Sequence, residues 1–251
     1  MKKLFFLTLL CAGLFNFAVE AKKADNRYFE MRIYYCHPGR LDALIERFTN
    51  HTTKIFEKHG MTNVGYWVPT NNTENTLYYI LAYPSKAARD SSWKHFSSDP
   101  EWKIVSKKSE ETGKIVAKVK SVFMNATDFS PKIKPSGGAI DQTFELRTYT
   151  QLPGRNPAIL ARFRDHTMKI FKHHGMKNIA YFTTIEKDPA VQSQLVYLIS
   201  HASQEAAKEN WAGFSNDPKW KKVAADSEKD GKIVEKIESV FMTPTAFSTI
   251  H

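Results

Sequence analysis

A carboxylate and a guanidinium two residues apart, with a phenol two further on, occur twice: Glu30, Arg32 and Tyr34, then Glu145, Arg147 and Tyr149. In an extended segment, residues two apart leave the same face. Each set therefore offers an acceptor, a fork of donors and a hydroxyl on one side of a strand. Such a set can hold a small polar ligand or pair within itself. His51 and His166 join them, because each follows a phenylalanine (Phe48, Phe163) by three residues on an apolar helical stripe. A buried imidazole there needs a partner for its N–H. For both groups a structural reading is preferred: an ion pair that fixes packing and a satisfied core histidine. They stay as ligand-binding candidates, with catalytic residues unassigned.

Other chemistry finds less support. His59 and His174 close helices just before Gly60 and Gly175, where a helix C-terminus favours a cation. No metal is expected. The adjacent His173 and His174 put their rings on different faces of a helix, whereas ligands on one helix prefer spacings of three or four. No glycine-rich phosphate loop or nucleophile elbow occurs, and no cofactor is expected. Trp93, Trp102, Trp211 and Trp220 fall at helical positions and read as packing anchors.

The elements that must position these residues are themselves duplicated. Phe29-Glu30-Met31-Arg32-Ile33-Tyr34 returns as Phe144-Glu145-Leu146-Arg147-Thr148-Tyr149, and His59-Gly60-Met61 as His174-Gly175-Met176, each 115 positions later. Beyond the loop near Asn71 the offset is 118, so Trp93, Asp99-Pro100 and Trp102 match Trp211, Asp217-Pro218 and Trp220. Units of this size are domains rather than short solenoid repeats. In repeat 1, residues 28–35 alternate and predict a strand. A helix is expected from Leu41 through Lys58, strands over 63–68 and 75–83, helices starting at Ser85 and at Asp99-Pro100, and a last strand over 115–124. The order β-α-β-β-α-(α)-β is ferredoxin-like. The apolar set Phe29, Met31 and Ile33 is expected to meet the helices. The charged set, with its copy in repeat 2, would then lie in the space between two sheets.

The expected organisation is a leader over 1–21, repeat 1 over 27–129, a linker over 130–141 and repeat 2 over 142–249. Lys2 and Lys3 precede an apolar run from Leu4 to Val19, and Val19-Glu20-Ala21 offers small residues for cleavage, which reads as a secretory signal peptide. Removal leaves 230 residues, a formal charge of +9 and Cys36 as the lone cysteine. The expectation is a secreted or periplasmic chain without an internal disulfide and with no transmembrane segment after cleavage. Cys36 has no copy in repeat 2 and reads as a bystander. The lysines are spread without interleaved aromatics or arginines, which argues against nucleic acid and leaves weak attraction to anionic surfaces. Oligomerisation stays open.

These phrases resemble the NIPSNAP family of the dimeric α+β-barrel superfamily. The likeness rests on Phe29 to Tyr34 with Pro38-Gly39-Arg40, on Phe56-Glu57-Lys58-His59-Gly60-Met61, on Trp93 through Asp99-Pro100-Glu101-Trp102, and on Ser121-Val122-Phe123-Met124, with their copies in repeat 2. It implies an α+β fold: two tandem ferredoxin-like units, each a four-stranded antiparallel sheet with helices on one face, packed sheet to sheet as an intrachain pseudo-dimeric α+β barrel. It implies no agreed reaction, because the wider superfamily includes cofactor-independent oxygenases, isomerases and haem enzymes. Three functions are weighed. The first is an exported protein that binds a small molecule between its sheets. The second is a cofactor-independent oxygenase or isomerase, in which the histidines and the Glu–Arg pairs position and deprotonate a substrate. The third is a non-catalytic adaptor at the cell envelope.

Overall fold

The computed structural model describes residues 24–135, 142–188 and 190–251. The expected leader and the second half of the expected linker lie outside them. Repeat 1 comprises β1 (Tyr28–Cys36), α1 (Leu41–Arg47), α2 (Thr53–Lys58), β2 (Thr62–Pro69), β3 (Thr76–Tyr83), α3 (Lys86–Ser98), α4 (Pro100–Ser109) and β4 (Val116–Ala126). Repeat 2 comprises β5 (Thr143–Gln151), α5 (Asn156–Arg162), α6 (Met168–His173), β6 (Lys177–Thr184), β7 (Leu195–His201), α7 (Gln204–Asn216), α8 (Pro218–Ser227) and β8 (Val234–Pro244). No helix among the described residues is long and apolar enough to cross a membrane.

The strands close into one antiparallel barrel in the order β1-β3-β2-β8-β5-β7-β6-β4. Two short seams join the repeats, Trp67 to Pro69 against Met242 to Pro244, and Met124 to Ala126 against Phe182 to Thr184. The ends of the repeats then cross over. Thr245 donates its N–H to the carbonyl of Tyr66 at 3.0 Å, and Ser248 Oγ accepts the N–H of Tyr66 at 3.0 Å. In the mirror arrangement, Thr127 bonds the carbonyl of Tyr181 at 2.9 Å and Ser130 Oγ accepts its N–H at 3.0 Å. Phe247 packs on Phe48 and Tyr66, and Phe129 on Tyr181. Each repeat's tail is thus a strap over the other. The last strand of repeat 1, expected over 115–124, runs on to Ala126, and β8 ends at the matching Pro244.

Alternation along the strands sorts side chains into two compartments. Phe29, Met31, Trp67, Phe144, Leu146 and Phe182 share one apolar core inside the barrel. Trp67 lies over Gly65, where a Cβ would come within 2.2 Å of its ring. The equivalent pair in repeat 2 is Ala180 with Phe182, a smaller ring over a larger neighbour. On the outer faces two further cores sit under the helices, one around Phe48, Phe56 and Tyr79, the other around Phe163, Phe171 and Tyr197.

The long first helix of each unit is not continuous α. Phe48–Thr52 and Phe163–Thr167 are π-helical, so each carries an extra residue in the turn. The next two helices follow capping chemistry. Ser85 and Ser203 accept the N–H groups of Ala88 and Ala206, and Asp99 and Asp217 accept those of Glu101 and Lys219 ahead of a proline at the first helical position.

Candidate functional site

The charged sets lie on the opposite side of the sheet from the expected one. Glu30 is fully buried beneath α3. It accepts hydrogen bonds from Arg32 Nη1 (2.8 Å), Arg89 Nε and Nη2 (both 2.9 Å), the Trp93 indole (3.0 Å) and the Tyr83 hydroxyl (3.3 Å). Arg32 in turn lies 4.2 Å over the Trp93 ring. The physical reason is that both faces of β1 and β5 are covered. Apolar side chains fill the space between the sheets, and the helices supply the donors that a buried carboxylate needs. Alternation alone says which residues share a face, not which layer covers it.

Repeat 2 keeps the pattern and changes the donors. Glu145 accepts from Arg147 Nη1 (2.7 Å), the Trp211 indole (2.7 Å), Ser239 Oγ (2.6 Å) and His201 Nε2 (3.1 Å). Ala207 stands where repeat 1 has Arg89, and His201 where it has Tyr83. His201 is buried, and its Nδ1 faces the Asn210 amide at 3.2 Å. With Asn210 donating to Nδ1, it is the Nε2–H that reaches Glu145. Burial pushes the Glu145 carboxyl up, but the His201 hydrogen bond, the Arg147 charge and Ser239 hold it down at about 2. Glu30 is likewise held below the ordinary range: burial opposes, and Arg89 and Arg32 prevail. Neither carboxylate is a competent base at neutral pH.

The two helix histidines are also displaced. His51 and His166 are exposed, not buried. The extra residue of each π turn advances the buried stripe by one position, so Thr52 and Thr167 fill the place the spacing gave to the histidines, each at 1% exposure. His51 and His166 instead line shallow grooves of about 460 and 980 Å³ between the first helix pair and the last helix of each repeat.

On its helix side repeat 2 also has a half-open cavity of about 430 Å³. Aromatic walls come from Tyr149 on β5, from Phe163 and Phe171, and from Phe214 and Trp220 on the covering helices. Its polar lining comes from the Tyr149 phenol, the Arg162 guanidinium, Thr167 and Glu228, with Lys232 and Glu235 further out. The Tyr149 oxygen accepts a hydrogen bond from Tyr197 at 3.2 Å. Arg162 is 6% exposed, and its Nε has no hydrogen-bond partner. Its Nη1 reaches Glu228 at 3.3 Å and Ser227 at 3.5 Å, and its carbon lies 5.4 Å from the Trp220 ring centre. Burial lowers the proton affinity of Arg162, with Glu228 and Tyr149 opposing it; for Arg147, whose Nε also has no partner, burial is outweighed by the Tyr197, Tyr149 and Glu145 neighbours and the shift is the other way. Arg162 is therefore a buried cation with an unfinished set of partners. Exposed Ile237 stands at the mouth beside Lys232 and Glu235.

A family model described as NIPSNAP matches residues 29–131 and again residues 144–249. The chain belongs to the NIPSNAP family. Human Protein NipSnap homolog 3A is 30% identical over 88 residues, 35% of this chain and 35% of that protein. The match thus spans about a third of that curated relative. A proposed monooxygenase of Fusobacterium nucleatum has the same fold over 87% of this chain and 92% of its own, with a TM-score of 0.59 at 10% identity. An anthrone oxidase-like protein aligns over 90% and 94%, with a TM-score of 0.57 at 10% identity.

Within this NIPSNAP chain the structure brings Glu30 with Arg32, and Glu145 with Arg147, into hydrogen-bonded pairs, and places only Tyr149 of the expected residues at the cavity. Tyr34 is half-buried and packs edge-on against Phe48 and Tyr79. Sequence reasoning missed Arg162 and its counterpart Arg47, which pairs with Glu110 at 3.3 Å over Trp102. The signal was present. An Arg-Phe pair recurs as Arg47-Phe48 and Arg162-Phe163 within an otherwise apolar stripe, and a repeated cation on a buried face needs a reason. It missed His201 because repeat 1 has tyrosine there.

Proposed function

We propose that this NIPSNAP chain is a small-molecule-binding protein whose ligand lies under the helices of repeat 2. The ligand would be a flat, largely apolar molecule carrying one anionic or strongly hydrogen-bonding oxygen. The observation that carries this reading is the buried, incompletely paired guanidinium of Arg162 at the wall of an aromatic cavity of about 430 Å³. Aromatic walls select a planar apolar body, and the few convergent polar groups fix its orientation. The cavity replaces the space between the sheets as the binding place, since that space is filled by the core around Phe29, Trp67 and Phe144.

An oxygenase-type reaction is compatible with the barrel fold shared with the proposed monooxygenase, but the Glu–Arg pairs are poor bases for it. A substrate activated by the Arg162 charge would ionise with less help from a protein base. We further propose export, on the strength of the Lys2-Lys3 and Leu4-to-Val19 segment; an exported chain whose first residue is not Lys22 sinks the assigned cleavage point. The binding reading is tested with anilinonaphthalene sulfonate, a planar anion that fluoresces in apolar sites, together with native mass spectrometry of the purified chain. Saturable binding is expected at one equivalent, weakened about tenfold by Arg162→Leu and abolished by Ala224→Phe, which fills the cavity. Equal binding by the wild-type and the Ala224→Phe chains, both folded by circular dichroism, rules the cavity out.

A further inference from the structure

The end of α6 meets the start of α8 in repeat 2. There the imidazoles of His173 and His174 and the carboxylate of Asp217 each present a ligand atom, all within 4.8 Å of one another. His174 Nε2 lies 2.8 Å from Asp217 Oδ2. The other oxygen, Oδ1, caps α8 by accepting the Lys219 N–H at 2.7 Å, so the cap and the free oxygen do not compete. His173 is exposed at the rim of the groove that also holds His166. The adjacency of His173 and His174 had argued against a shared site on one helix. At a helix end the argument fails, because the chain leaves the helix at His174, the residue that begins its C-terminal cap ahead of Gly175.

Repeat 1 shows what this corner is built to hold. His174 corresponds to His59, Asp217 to Asp99 and His173 to Lys58. Lys58 Nζ lies 2.8 Å from Asp99 Oδ2, and His59 Nε2 lies 2.6 Å from the same oxygen. A cation therefore sits on that carboxylate in repeat 1, supplied by the chain itself. In repeat 2 the ammonium is exchanged for an imidazole, a donor of a lone pair rather than of a charge. The carboxylate and its histidine partner are kept.

We propose that His173, His174 and Asp217 bind a divalent transition-metal cation of the zinc type, at the place where repeat 1 holds the Lys58 ammonium. Two imidazoles and one carboxylate are a ligand set that zinc favours, and three protein ligands leave a fourth position for water. Tetrahedral bonds of about 2.0–2.1 Å set ligand atoms roughly 3.4 Å apart, which the exposed His173 side chain reaches by a change of rotamer. The groove carries Arg162, Lys169, Lys219 and Lys222 against Asp165, Asp217 and Asp226, so the cation meets a field of mixed sign with an excess of one positive charge. The site is separate from the aromatic cavity, which lies beyond Arg162.

The test is calorimetric titration of zinc into the metal-free purified chain, with cobalt(II) absorption as the report on tetrahedral coordination. One equivalent is expected for the wild type. None is expected for His173→Lys, which restores the arrangement of repeat 1 and should leave the fold intact by circular dichroism. Asp217→Asn keeps the helix cap and is expected to weaken binding by about tenfold or more. Lys58→His is expected to raise the uptake to two equivalents. A wild-type chain that takes up no zinc overturns the proposal, as does undiminished uptake by His173→Lys or a Lys58→His chain that stays at one equivalent.

Discussion

Glu145 is a carboxylate with four donors around it and no lone pair to spare for a substrate, and its energetics follow from that. Replacing it with glutamine keeps the shape but leaves Arg147 buried beside Trp211 without its counter-ion. A loss of roughly 3–5 kcal/mol is expected at neutral pH, read from urea unfolding of Glu145→Gln against wild type. The pH dependence has a definite sign. The folded carboxyl is held down at about 2 from an ordinary 4.5, so the unfolded chain binds the proton first as pH falls. The stabilisation is whole above about pH 4.5 and is lost as pH drops towards 2. On the order of 3 kcal/mol is involved, so the gap between wild type and Glu145→Gln should narrow across that window; a gap constant from pH 6 to pH 2.5 sinks the assignment. At this scale the sequence was legible in part. It paired Glu30 with Arg32 and Glu145 with Arg147 correctly, because period two is a property of the backbone. It could not say which layer would cover them, because both faces of β1 and β5 are buried and the donors that decide the matter, Arg89, Trp93, His201 and Trp211, come from 50 or more residues away.

The π turns at Phe48–Thr52 and Phe163–Thr167 show how one extra residue redirects a whole helix. Before the turn Leu44 and Phe48 face the sheet, and after it Ile55 and Phe56 do. Thr52 bonds back to the carbonyl of Arg47 at 3.1 Å from the inside of the turn. Deleting Asn50 should convert the segment to continuous α-helix and rotate α2 by about 100° relative to α1. Ile55 and Phe56 would then leave the core, at a cost of at least about 3 kcal/mol; a deletion variant melting within a degree or two of wild type would show the extra residue to be idle. The caps are milder elements. Asp99→Ala should cost about 0.5–2 kcal/mol in helix capping alone, with more from the stranded Lys58 and His59. Capping was readable because Ser85, Asp99-Pro100 and their copies act on backbone groups two or three residues away. The π turns were not, since a helix with one surplus residue looks, in a short window, like an ordinary apolar stripe with His51 or His166 on it.

One interior serves both repeats, and neither half owns it. Phe29 of repeat 1 meets Phe182 of repeat 2 at 5.0 Å, and Trp67 meets Phe144 at 5.8 Å. The chain should therefore unfold in a single transition with coincident tryptophan fluorescence and circular dichroism, and two resolved transitions would contradict the shared core. Gly65→Ala would drive a methyl into the Trp67 ring, and a loss of about 1–3 kcal/mol is expected from overpacking. The closed barrel was the most legible feature of all. The duplication supplied two sheets in one chain, a sheet with helices on one side leaves the other bare, and the family resemblance supplied the closure. The crossed tails were not foreseen, because Thr127 to Ser130 and Thr245 to Ser248 carry no periodicity, and their partners are reached only once the barrel has closed. Those tails also set an order of events at the ribosome. Thr245 and Ser248, which follow β8, fasten Tyr66 in repeat 1. Repeat 1 therefore cannot reach its finished state until repeat 2 has left the ribosome, however long it waits.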